Sequence, residues 1–140
     1  MYLLDTDVLS ELRKPKRDPG VAKWFDAVPD SELHVSMITL VEIERGIERQ
    51  RKPNPAFAKD LEEWLERTLR GFDERILPLT INIARRWGRL AAQIGNKELD
   101  IAIAATALEH GLMVVTGNTS HFEPTGVPLK NPFHRRRSQQ

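Results

Sequence analysis

Apolar and polar positions along this chain follow two periods, and the switches between them predict its elements. Tyr2 to Leu4 is a short apolar run ending at Asp5. Val8, Leu9 and Leu12 then recur at helical spacing behind Thr6 and Asp7, either of which can cap a helix. Prolines and a glycine between Lys14 and Gly20 break the pattern, and Val21, Trp24, Phe25 and Val28 resume it in a second helix. Leu33 to Ile38 reads as a second strand. Thr39 reads as the cap of a helix from Leu40 to about Gln50, whose apolar side is Leu40, Val41, Ile43 and Ile47.

Lys52 to Pro55 reads as a linker into a long amphipathic helix, a predicted helical arm marked by Phe57, Leu61, Trp64, Leu65, Leu69 and Phe72. Ile76 to Leu79 suggests a third strand. Ile83, Trp87, Leu90, Ala91 and Ile94 then form one face of a helix that Gly95 stops. The segment from Glu98 to His110 is apolar nearly all round, which predicts a helix buried on more than one side and ended by Gly111. Leu112 to Thr116 is a valine-rich strand, and Val127 to Leu129, among Pro124, Pro128 and Pro132, reads as a last edge strand.

Strands alternating with helices imply right-handed parallel crossovers. The predicted class is therefore α/β: three α/β/α layers around a central, mostly parallel sheet, with the helical arm attached. In such a sheet the carboxyl end of each strand and the start of the next helix share one rim, where ligands bind. Asp5 ends the first strand, Glu42 is expected in the first turn after the second, and Asp100 is in the first turn of the buried helix. Asn118 follows the valine-rich strand next to Thr116, so these oxygen-bearing side chains are predicted to converge in one crevice.

Crowded carboxylates repel one another and take up protons unless a cation sits among them. Oxygen donors alone select a hard ion, Mg²⁺ with Mn²⁺ as a substitute, which keeps waters and accepts phosphate oxygens. Such an ion suits phosphodiester hydrolysis by an activated water. Taken singly, each residue has a plainer reading: Asp5 or Asp7 as a helix cap, Glu42 and Asp100 as dipole partners, Asn118 as a turn residue. His34, His110 and His121 show no ligand spacing such as HExxH and read as structural or surface residues, His110 as a helix C-terminal cation.

Composition narrows the setting more than the chemistry. The chain has 140 residues, 40% of them hydrophobic, enough for one domain, expected at 1–133, with a basic tail over 134–140 expected to be disordered. A net charge of +1 neither demands nor excludes a polyanion, so charge placement must decide. Cationic candidates for a phosphate backbone are Arg13, Lys14, Lys16 and Arg17, then Arg45, Arg49, Arg51 and Lys52, and each cluster also fits a solvated helix end. There is no cysteine, no basic leader before Asp5, and no apolar run near the roughly 20 residues of a membrane span, so a cytoplasmic protein is expected.

Four segments together carry a family resemblance: LLDTDVLSEL at Leu3 to Leu12, SMITLVEIERGI at Ser36 to Ile47, LDIAIAATALEHGLMVVTGNTSHF at Leu99 to Phe122, and NPF at Asn131 to Phe133. In this order and spacing the chain resembles the VapC and FitB group of PIN-domain ribonuclease toxins over essentially its full length. The resemblance maps the family's acidic positions onto Asp5, Glu42 and Asp100, as catalytic and metal-binding residues, with the fourth position on Asn118. Thr116 and Thr6 are the auxiliary candidates, and Arg13, Lys14, Arg45 and Arg49 the RNA-binding ones. It implies Mg²⁺-dependent RNA cleavage, a homodimer or dimer of dimers, and neutralisation by a small cognate antitoxin. Two positions depart from the family: Gly117 stands where Arg is usual, and His121 where an Asp precedes Phe.

Two rival readings have their own tests. Asp5-Thr6-Asp7 after a strand matches an aspartate-nucleophile phosphohydrolase, yet Thr116 to His121 lacks the acidic pair that such enzymes place after a later strand. Asp7→Asn would separate that chemistry from a nuclease's. A PIN-like domain that binds without catalysis is the other, motivated by Gly117 and His121; three retained carboxylates argue against it.

Overall fold

Leu3 and Leu4 face opposite sides of the first strand, and each is fully buried in a different core. That alternation organises the molecule. The computed structural model describes residues 1–134, so the predicted tail beyond His134, with Arg135 to Arg137, lies outside the described residues. Strands β1 (Tyr2–Leu4), β2 (Leu33–Ser36), β3 (Ile76–Leu77), β4 (Met113–Val115) and β5 (Leu129–Lys130) form a sheet in the order β3-β2-β1-β4-β5. Every pairing in it is parallel.

Helices α1 (Thr6–Arg13), α2 (Pro19–Ala27), α3 (Met37–Arg51) and α4 (Pro55–Phe72) supply the core that holds Leu4, Val35 and Val115. On the other side α5 (Ile81–Ile94), α6 (Leu99–His110) and the short α7 (Thr119–Phe122) enclose Leu3, Val114 and Phe122. The three expected layers are present. The helical arm is α4, which lies back along α3 and reaches β2, burying Ala58 and Leu65. Helix α6 is buried continuously from Ile101 to Ala107 between the sheet and α5, as its unbroken apolar run requires.

Two helix starts differ from the expectation, for one reason. Asp5, and not Thr6 or Asp7, caps α1: its Oδ1 accepts the Thr6 N–H at 2.8 Å. Ser36, and not Thr39, caps α3, its hydroxyl accepting the Ile38 N–H at 3.0 Å. In both cases pairing ends the strand first: Leu4 pairs with Val115 and Ser36 with Leu77, and the helix begins as soon as the ladder stops. Glu42 consequently sits in the second turn of α3, where the helix-dipole explanation for an acid loses most of its force. The last edge strand is also displaced, to Leu129–Lys130, while Val127 is buried ahead of it.

Beyond β5 the NPF segment crosses to the start of α2. Asp18 accepts hydrogen bonds from the N–H groups of Gly20, Val21 and His134 through one oxygen, stapling the two segments together. A Cβ at Gly20 would stand 2.4 Å from the Pro132 carbonyl oxygen and the His134 nitrogen, both backbone atoms. Gly20→Ala should therefore destabilise the fold by about 1–3 kcal/mol, read as a lower midpoint in thermal or urea unfolding. An unchanged midpoint would mean that this segment does not hold α2.

Candidate active site

The rim at the carboxyl ends of β1 and β4 is where the acids gather. Asp5 follows β1, only 4% exposed, and its second oxygen accepts the Thr116 hydroxyl at 2.8 Å. Thr116 is fully buried just past β4, and its Oγ1 also lies 3.4 Å from Asp7 and accepts the Asn118 N–H at 3.0 Å. Asp7, in the first turn of α1, accepts the Gly117 N–H at 2.8 Å.

Glu42 arrives from α3 and accepts the Thr6 hydroxyl at 2.5 Å, while Asp100 at the start of α6 is paired with His121 Nδ1 at 3.2 Å. The site therefore holds four carboxylates, one more than the sequence singled out. Asp7 belongs in the sequence to the cap and phosphohydrolase readings and not to the ligand set, because its partner Gly117 is 110 residues away. His121 carries no sequence signal of a site, since it has no second histidine at ligand spacing and its partner is a carboxylate at the start of α6. Asn118 contributes its backbone N–H to Thr116 and stands as the N-cap residue of α7 without a side-chain cap bond.

Burial pushes all three predicted acids in one direction, upward. Burial raises the Asp5 carboxyl to about 8, the charges of Asp7 and Asp100 add to it, and the bonds from Thr116 and Thr6 oppose it. Burial likewise raises Glu42, opposed by the Thr6 bond and the Arg45 charge and assisted by Asp100 and Asp7. Asp100 is raised by burial against the pull of His121. The donors are oxygens with excess negative charge, which fits a hard divalent cation. Among the described residues, however, no three acidic or imidazole side chains stand together at the spacing of ligands around one ion. Glu42 is bonded instead to Thr6, and Asp100 is paired with His121.

Cationic candidates divide clearly. Arg13 lies over the Phe57 ring, 5.4 Å from its centroid, and lines a pocket shared with Thr6 and Glu42. Arg45 lines a second, polar pocket with Glu42, Asp100 and Lys97, a lysine the sequence reading had not selected. Lys14 is paired with Glu11 at 3.0 Å, and Arg51 with Glu48 and Glu62, so these two are engaged locally. Arg49, Lys16, Arg17 and Lys52 are exposed.

A five-stranded parallel sheet with acids at the ends of β1 and at the starts of α1 and α6 defines a class. The chain belongs to the PIN domain family, whose model matches residues 2–126. It is 36% identical to VapC ribonuclease Y4jK of Sinorhizobium fredii, over 95% of this chain and 98% of that one. Toxin FitB of Neisseria gonorrhoeae is 34% identical, over 96% and 99% of the two chains. The crystal structure of FitAcB from the same organism superposes with a TM-score of 0.82 at 33% identity, covering 96% of this chain and all of the other. A toxin-antitoxin complex from Klebsiella pneumoniae follows at a TM-score of 0.71 and 26% identity, over 96% and 100%. Among the described residues no helix is long and apolar enough to cross a membrane.

Proposed function

We propose that this chain is a Mg²⁺-dependent endoribonuclease toxin, acting in the cytoplasm and restrained by a small cognate antitoxin, with Asp5, Glu42 and Asp100 as ion ligands. The observation that carries the reading is Asp5: a carboxylate almost without solvent, acted on by the charges of Asp7 and Asp100, in a chain related to a VapC ribonuclease and to toxin FitB. Burying such a group uncompensated opposes folding, so a cation is the physical reason to keep it. Mn²⁺ is the expected substitute. When bound, the ion would supply a water acidic enough to attack phosphorus near neutral pH and would neutralise charge on the phosphate.

The chain's own residues do the rest. Thr6 N–H and the Thr116 hydroxyl hold both Asp5 oxygens, which fixes the orientation of that carboxylate. Gly117 N–H restrains Asp7 in the outer layer of the site. Glu42 and Asp100, half-buried and bonded to Thr6 and His121, would hold the ion together with Asp5. Arg13, Arg45 and Lys97 flank the acids and bind the phosphate backbone, a contact blind to sequence. The antitoxin assignment rests on the related toxin-antitoxin complex, and a homodimer or dimer of dimers is proposed with it.

Purified, antitoxin-free protein should cut structured RNA in Mg²⁺ or Mn²⁺ and stop in EDTA. RNA cleavage that proceeds unchanged in EDTA would falsify the metal mechanism.

A further inference from the structure

Glu42 separates two pockets, and they differ in kind. On the α6 side the walls are charged, with Arg45 and Lys97. On the α4 side the pocket combines an aromatic floor with polar edges: Phe57 and Trp64 from α4, Ser10 and Arg13 from α1, Gln50 from α3. Its volume is about 260 Å³, smaller than the site of a drug-sized ligand and suited to a single flat ring system. Resting on the ribonuclease reading above, we infer that this second pocket is a nucleobase subsite. It receives one unstacked base of single-stranded RNA next to the phosphate held at the acidic cluster.

Three features match that ligand. A base is a flat π-surface with hydrogen-bonding edges, and single-stranded RNA is read by stacking on aromatic rings and guanidinium planes. Here Arg13 is held over Phe57 at 5.4 Å, so one guanidinium offers both a stacking plane and a cation for the adjoining phosphate. Ser10 and Gln50 add donors and acceptors at the pocket's edge. The position is right as well: Thr6 and Glu42 line this pocket and belong to the acidic cluster, so the base and the scissile phosphate are neighbours.

The pocket also has an opening made by a missing side chain. Gly46 lies within α3 and lines the pocket, and a Cβ built there meets nothing within 4 Å. A side chain at this position would begin in open space and extend into the pocket.

The test uses a short single-stranded RNA that the wild-type protein cuts, remade with one abasic nucleotide at each position around the cleaved bond. In Mg²⁺, wild type should lose about tenfold in kcat/KM at one position flanking the bond, the scale of one stacked base. Phe57→Leu and Gly46→Leu should cut the intact RNA about tenfold more slowly and no longer distinguish it from that abasic version. Gly46→Leu should also keep or raise Tm, since it removes a glycine from a helix interior, and should keep the wild-type Mg²⁺-induced shift in Tm. Such a result separates a filled subsite from a damaged fold or metal site. Wild-type cleavage without a position-specific loss, or the same loss in both variants, overturns the subsite alone. Variants that cut normally yet escape inhibition by the antitoxin would assign the pocket to the protein partner and overturn it too. Wild-type protein inert towards every RNA would overturn the ribonuclease reading and the subsite together.

Discussion

Asp5→Asn should reduce RNA cleavage by at least about a hundredfold and, in EDTA at pH 8, should raise the stability of the protein. The two effects have one origin. Burial lifts the Asp5 carboxyl from 3.8 to about 8, so the folded chain keeps a proton there that the unfolded chain releases. Between those values the unfolded state binds fewer protons, and stability falls as pH rises. The penalty is absent below about pH 4 and complete above about pH 8. Asparagine cannot ionise, still accepts the Thr6 N–H as a cap, and keeps a polar group against Thr116. The expected gain is about 2 kcal/mol or more at pH 8, roughly 5 °C or more in Tm, shrinking towards nothing at pH 4. A variant less stable than wild type at pH 8 would show that the buried carboxylate is a structural asset and would remove the case for a metal there.

Mg²⁺ should stabilise the wild-type protein strongly at pH 8 and weakly at pH 5. Binding requires ionised ligands, and Asp5, Glu42 and Asp100 are all raised, so at low pH the ion must displace protons. At a hundredfold excess over Kd the linkage supplies about 2.7 kcal/mol, a Tm rise on the order of 5–10 °C for a chain this size. The slope of Tm against pH should correspondingly flatten when Mg²⁺ is present. Asp5→Asn should lose most of the Mg²⁺ response at every pH. If scanning calorimetry gave equal Mg²⁺ shifts at pH 5 and pH 8, or a full shift in the variant, the ion would be binding elsewhere.

The candidate site was legible as far as rules of sheet topology reach. Asp5 and Asp100 are attached to element ends that parallel crossovers bring to one rim, and that inference needs only the alternation of strands and helices. Glu42 was placed on the right helix but one turn early, because Ser36 and Thr39 are both good caps and local propensity cannot rank them. What ranks them is the pairing of Ser36 with Leu77, a contact between distant strands. Asp7 and His121 lie outside the predicted ligand set for a related cause. Each has a sufficient local explanation, and the partner that makes it part of the site, Gly117 or Asp100, is brought in by the sheet and by the return of α7 against α6. The basic clusters were the least legible. Lys14 and Arg51 have local carboxylates that occupy them, whereas Arg13 is held at the site by Phe57, a residue of the helical arm.

The amino-acid sequence alone determines the periodicity of this protein: which segments are helical or extended, that Leu3, Leu4, Val114 and Val115 must be covered on both faces, and which acids stand at strand ends. Those properties follow from side-chain spacing and burial, which act within one segment at a time. Only the tertiary structure decides which donor meets which carboxylate, Thr116 with Asp5 across 111 residues or Thr6 with Glu42 across 36. Hydrogen bonds are made or lost within a few tenths of an ångström, and that placement depends on strand order and register rather than on any local preference.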